Sequence, residues 1–249
     1  MAVSANTLFH FTDEKEKLMS ILENSFYPKY SLEDISNATP ERSIYRTSHI
    51  PMVCFCDIVF SQIKSHIDFY GDYGIGLRKK GWGISKGISP VFYFPKESIS
   101  ASFIKLIGSE IGSKVKAKSE RIALRKQLQN FYKCVKPYNG KAFNKKEKRL
   151  EDRLFYDERE WRFVPKNFPV VAEKNATTIA LEKANNEMQE NDRLMFKAKD
   201  VKYIIVKRES EIPDFVSFIE TKLIKDFDEK ERKLLVSKLI SVQQIKEDM

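Results

Sequence analysis

Cysteine, histidine and tryptophan are scarce in these 249 residues, at three, three and two copies. No stretch approaches the roughly 18 to 20 consecutive apolar residues of a membrane span. An odd cysteine count without scaffold spacing excludes a disulfide framework and suits a reducing compartment. Cys54 and Cys56, in "CFC", fall short of the about four ligands of a structural zinc site, so they read as small buried apolar residues. A basic start followed by an apolar core, the mark of an export signal, is also missing. The sequence therefore reads as soluble and cytoplasmic, without a membrane partner. Walker A, H-E-x-x-H and G-x-S-x-G motifs are absent. "GDYGIG" at residues 71–76 runs G-x-x-G-x-G, which is not the dinucleotide fingerprint.

The sequence does contain 42% apolar and 12% aromatic residues, enough for one sizeable core and a single domain over 1–249. Charge is its most uneven property. Between Lys105 and Arg149 lie 14 Lys or Arg against 3 Asp or Glu, a local +11 within a total of +9, so the remainder sums to −2. Phe131, Tyr132, Tyr138 and Phe143 are interleaved there. Basic and aromatic side chains together suit phosphates and unpaired bases, which makes Lys145, Lys146, Lys148 and Arg149 candidate nucleic-acid contacts and RNA or DNA a candidate partner. A solvated helix face accounts for the same charges equally well.

Periodicity places a first strand at Leu8–Phe11 and a helix from Asp13 capped by Thr12. Polar, turn-rich residues 28–49 read as a loop. Strands are expected at 51–60, 73–77, 90–95, 159–165 and 201–207, and a helix from Ser61 to Gly71. Residues 97–154 read as a basic, mostly helical insertion broken near Pro137 and Gly140, residues 177–190 as helix, and 208–249 as C-terminal helices. Strands dispersed among helices, without regular βαβ alternation, indicate an α+β fold of small, bent sheets with surrounding helices.

Two strands carry polar rows. In "LFHFT" alternation sets Phe9 and Phe11 on a core face and Leu8, His10 and Thr12 opposite. In "DEREWRFVP" it sets Glu158, Glu160 and Arg162 on a cleft-lining face, with Arg159, Trp161 and Phe163 packed inward. Two readings of each polar residue are open. Glu160 is a cleft carboxylate or a surface one paired with Arg162; His10 is a ligand contact or a core histidine bonded to a backbone carbonyl.

In order, "LFHFT", "PMVCFCDIVFS", "SHIDFYGDYGIGLRKKGWG", "SPVFYF" and "DEREWRFVP" resemble the AbiGi family of abortive phage-resistance proteins, over most of residues 7–165. Members are labelled antitoxins, so the resemblance implies a phage-defence role and a cognate toxin or antitoxin partner. More distantly, a histidine on the first strand, a middle aromatic and a late glutamate are similar to ADP-ribosyltransferases. That likeness implies an ADP-ribosyltransferase-like fold, NAD as substrate, and transfer to nucleic acid or protein. Glu160 would stabilise the oxocarbenium-like ribose, Glu158 would position the acceptor, and His10 with Thr12 would hold the adenosine end. Tyr70 or Tyr73 would hold the nicotinamide, Tyr73 being preferred because it opens a strand. The alternative is a non-enzymatic antitoxin or binding module.

Overall fold

In the computed structural model, residues 5–144 and 147–247 are described. Strand β1 (Thr7–Thr12) leads into helix α1 (Lys15–Asn24), whose N-cap is Glu14 without a side-chain bond. Thr12 is therefore not the cap: its hydroxyl donates to Asp13 Oδ1 at 3.4 Å, two residues before the helix begins. The stretch expected as loop forms strand β2 (Lys29–Asp34) and the start of β3 (Thr47–Cys56). Helix α2 (Lys64–Tyr70) stops at Gly71, where φ is +135° and a Cβ would lie 2.2 Å from the Thr12 carbonyl oxygen, so only glycine fits.

Strand β4 (Tyr73–Arg78) pairs with β1 over its whole length, setting Phe9 opposite Gly76 and Phe11 opposite Gly74. A Cβ at either glycine would come within 2.9 Å of the facing phenylalanine ring. The glycines of "YGIGL" thus make room for the two aromatic rings of the first strand.

Short strands β5 (Ser89–Pro90) and β6 (Phe92–Phe94) precede helices α3 (Ile99–Ser113) and α4 (Lys118–Tyr132). The basic segment is not mostly helical beyond that point. It continues as β7 (Val135–Pro137), β8 (Asn139–Asn144) and β9 (Arg149–Leu154), with β7 joining β6 and β8 pairing β9. Their side chains are largely polar, so strand pairing leaves no apolar alternation to read. Then follow β10 (Glu160–Phe163), β11 (Val171–Ala172), α5 (Thr178–Asn191) and β12 (Val201–Val206). The C-terminal part holds α6 (Ile212–Lys222), α7 (Glu229–Val236), α8 (Val242–Glu247) and, unexpectedly, β13 (Leu239–Ser241) before α8. β13 adds parallel to β12, and three residues are too few for a periodic signal.

The fold is mixed α+β. One nine-stranded sheet, not small bent sheets alone, runs β13-β12-β4-β1-β3-β10-β5, with β2 and β11 also on β3; two two-stranded pairs complete it. Both faces are covered. Leu8, Ile75, Ile204 and Val206 belong to a core with α1 and α6 residues Leu18, Leu22, Phe215 and Ile219. Phe9 and Ile205 belong to another with Ile63, Ile67, Val242 and Ile245. Leu8 is therefore a core residue, not a member of a polar row. Among the described residues no helix is long and apolar enough to cross a membrane.

Candidate functional site

The cleft originates in how strands share β3. β1 meets β3 at a single register pair, Phe9 with Cys56, while β2 pairs with the other half of β3, from Met52 to Thr47. Where β1 and β2 diverge, the sheet opens into a cleft of about 580 Å³. The Cys54 carbonyl, in the opened stretch, accepts a bond from His10 Nδ1 at 2.8 Å. The imidazole supplies the partner that a departing strand withdraws, and it packs edge-on to Phe26, with ring centroids 5.2 Å apart.

His10, Thr12, Tyr70, Glu158 and Glu160 all line this cleft. Tyr73 does not. Its hydroxyl donates to Glu211 Oε1 at 3.0 Å, and burial followed by that bond pushes its phenol up to about 12. Opening β4 turns Tyr73, the preferred candidate, toward the core that α1 and α6 cover and away from the cleft, whereas Tyr70, the other candidate, ends α2 at the cleft wall. Lys148 and Arg149 lie at the β8–β9 turn, outside the cleft lining, with Arg149 Nε 2.9 Å from Glu151 Oε1. Lys145 and Lys146 lie outside the described residues.

The polar end of the cleft is an alternating chain of charges. Arg153 Nε donates to Glu158 Oε1 at 2.8 Å, and Lys136 Nζ to Glu158 Oε2 at 2.6 Å. Lys136 also donates to Glu160 Oε2, and Arg162 Nε to Glu160 Oε1. Arg162 Nη2 faces Glu33 Oε2 at 3.1 Å, off the line of a hydrogen bond, so this last link is an ion pair. Arg162 Nη1 donates to the carbonyls of Lys133 and Val135 at 3.1 and 3.2 Å. Tyr70 donates its hydroxyl to Glu158 Oε1. Three cations and three carboxylates alternate, and the formal charge of this six-residue network is zero.

On β10, Trp161 and Phe163 pack against the main core while Glu160 lines the cleft, and the charged face is the more deeply buried of the two. Glu160 and Arg162 are 5% and 1% exposed, while Trp161 and Phe163 are only half-buried. The charged face can be buried as well because β7 brings Lys136 against it, and ion pairing offsets desolvation that neither partner tolerates alone. Glu160 is indeed paired with Arg162, but in the interior. Glu158 precedes the strand in a 3₁₀ turn that ends at Arg159, a left-handed residue with φ of 46°. The E-R-E string therefore joins a turn to a strand.

Burial pushes the Glu160 carboxyl up, yet the Arg162 guanidinium and Lys136 ammonium outweigh it and hold it well below the usual carboxylate range. For Lys136, burial pulls down while Glu160, Glu33 and Glu158 prevail and keep it charged far above its ordinary range. Burial, with Glu158 adding, drives the Tyr70 phenol well above 10. Burial raises the Cys54 and Cys56 thiols as well, so neither is a reactive thiolate at neutral pH.

A second cleft of about 400 Å³ lies on the β8 side, and Glu33, Tyr70, Lys136 and Glu158 line both. The ion-pair chain is thus the wall between two cavities. Sequence reasoning missed Lys136, Glu33 and Arg153. A lysine in "KCVKPY" gives no local sign that remote carboxylates will bury it, and Glu33 lies on an edge strand too polar to stand out.

Residues 24–207 match the family described as "Putative abortive phage resistance protein AbiGi, antitoxin". An abortive phage resistance protein AbiGi of Lactococcus lactis subsp. cremoris is 29% identical over 252 aligned positions, covering 90% of this chain and 99% of that protein. No solved structure matches the chain significantly. With the family match spanning well over half of its length, the chain belongs to the AbiGi family.

Proposed function

We propose that this chain serves abortive phage defence as the antitoxin-type member of a pair, and that it neutralises a toxic partner protein by binding, without catalysis. The family description supports the role. The observation that carries the mode of action is that both candidate catalytic carboxylates are already neutralised. A carboxylate accelerates glycosidic cleavage by lending negative charge to a developing cation. Both oxygens of Glu160 are engaged by cations, and Glu158 is shared among Tyr70, Arg153 and Lys136. A positive ribose forming there would face Lys136 and Arg162 as well as the carboxylates. In this reading the network is a rigid wall that fixes the outline of the cleft. A cytoplasmic site of action accompanies it.

A second reading keeps the enzyme. One observation favours it: His10, Thr12, Tyr70, Glu158 and Glu160 converge on a single cleft whose size falls within the about 300 to 1,000 Å³ typical of small-molecule sites. NAD would then be the substrate, the fold ADP-ribosyltransferase-like, Tyr70 the nicotinamide contact, and RNA, DNA or protein the acceptor. Incubation of the purified chain with labelled NAD and a mixture of cellular RNA, DNA and protein separates the two. The binding reading expects no labelled product and no released nicotinamide. Label that appears with the wild type and vanishes with Glu160→Gln overturns it.

A further inference from the structure

Helix α3 spends one apolar face on the protein and leaves another uncovered. In "ISASFIKLIGSEIGS" the residues Ile99, Phe103 and Leu106 follow the i, i+4, i+7 spacing of one stripe. They are 91%, 59% and 55% exposed. The inner side is accounted for elsewhere: Ala101 is buried, Ile104 packs on the small core with Tyr132 and Val135, and a Cβ at Gly108 would come 2.9 Å from Pro40. A row of large apolar side chains open to water marks an interaction surface.

Charge identifies what would cover it. Residues 99–132, spanning α3 and α4, hold seven Lys or Arg against two Glu, a net of +5. Lys118, Arg125 and Lys126 of α4 are exposed, and Arg125 Nη2 would lie 3.7 Å from a Cβ at Gly112, which sets it over the C-terminal turns of α3. A second copy of this chain would bring +5 against +5. A nucleic acid would satisfy the basic residues, but Ile99 and Leu106 cannot stack on bases. An amphipathic helix with an apolar stripe and acidic flanks satisfies both features at once.

We propose that the Ile99–Phe103–Leu106 stripe with its basic flank on α4 docks an acidic amphipathic helix of the protein this chain neutralises; the inference rests on the antitoxin reading. The probe is a fluorescent 20-residue peptide with Leu at i, i+4, i+7 spacing and Glu at the exposed positions. Its controls are a twin carrying Lys for Glu and a single-stranded RNA. Anisotropy is read with the wild type, with Phe103→Ser/Leu106→Ser and with Lys118→Glu/Arg125→Glu, and sedimentation reports self-association. The acidic peptide binds the wild type, each double variant weakens it about tenfold or more, and the twin does not bind. Ile99→Ser, whose side chain is almost wholly in solvent, gives the same direction of change where folding is not at issue.

Absence of peptide binding overturns the proposal, as does equal binding of the twin or binding indifferent to Phe103→Ser/Leu106→Ser. RNA displacing the peptide from the stripe, or a wild-type dimer that this variant dissolves, overturns it in favour of those occupants. The outcomes stay separate from the NAD test. Labelled product there removes the antitoxin reading itself, whereas failed peptide binding removes this surface and leaves that reading standing.

Discussion

The cleft wall and the α3–α4 hairpin are built from the same residue types and use them in opposite ways. In the wall, three cations and three carboxylates alternate, Arg162 is 1% exposed, and formal charge cancels. In the hairpin, seven basic residues meet only two acidic ones, and apolar side chains stand in solvent. Charge taken into an interior must be balanced almost one for one, because each unpaired ion costs several kcal/mol of desolvation. Charge on a projecting helix pair carries no such requirement, so its imbalance is available for recognition. The wall is therefore read as structure and the hairpin as a docking surface.

The contrast can be broken most severely at Arg162. Arg162→Met strips Glu160 and Glu33 of a buried partner and is expected to lower unfolding free energy by roughly 3–5 kcal/mol in urea titrations. A change no larger than that of a surface substitution would place the wall with the hairpin.

His66 gives a pH test beside the same wall. Burial, with Arg153 adding, lowers its imidazole to about 4, while Glu158 and Asp157 act in the opposite direction; its ring neighbours Phe11 and Tyr70. An unfolded histidine titrates near 6.5, so the unfolded chain binds the extra proton first. The stability from this group is complete above pH about 6.5 and is lost as pH falls toward about 4, an effect on the order of 3 kcal/mol. His66→Phe should flatten that part of a stability profile measured by urea unfolding. An unchanged slope would show that the imidazole is not held neutral.

Tyr70→Phe removes one hydroxyl donor from Glu158 and is expected to cost about 1–3 kcal/mol, while Arg153 and Lys136 keep the carboxylate paired. Ile99→Ser, on the hairpin, should alter thermal unfolding by no more than about 0.5 kcal/mol. A large loss there would mean that the stripe supports the fold, and the distinction between the two regions would weaken.

What the sequence reveals follows the same division. β4 and β12 are legible because apolar residues recur where a strand covers a core. β2 is not, since "KYSLED" lies on the sheet with four of its six side chains exposed, and β8 and β9 pair chiefly with each other. At the site, His10, Tyr70, Glu158 and Glu160 are recognisable by type and order. Lys136, Glu33 and Arg153 are not, because their roles come from pairings across 22 residues and more, or from a turn that redirects Glu158. Alternation puts Glu160 and Arg162 on one face of β10 and Trp161 and Phe163 on the other, core-packed one, but it weighs hydropathy and cannot see that a lysine arriving from β7 lets the charged face be buried as well.

The most direct measurement is a double-mutant cycle at neutral pH on Lys136→Met, Glu160→Gln and their combination, read by urea unfolding. Each single change should destabilise, and the pair should cost less than the sum by about 1–3 kcal/mol, because each substitution removes the charge that the other leaves stranded. Additive losses, or a Glu160→Gln protein more stable than the wild type, would contradict a structural wall and mark Glu160 as a carboxylate kept strained for chemistry.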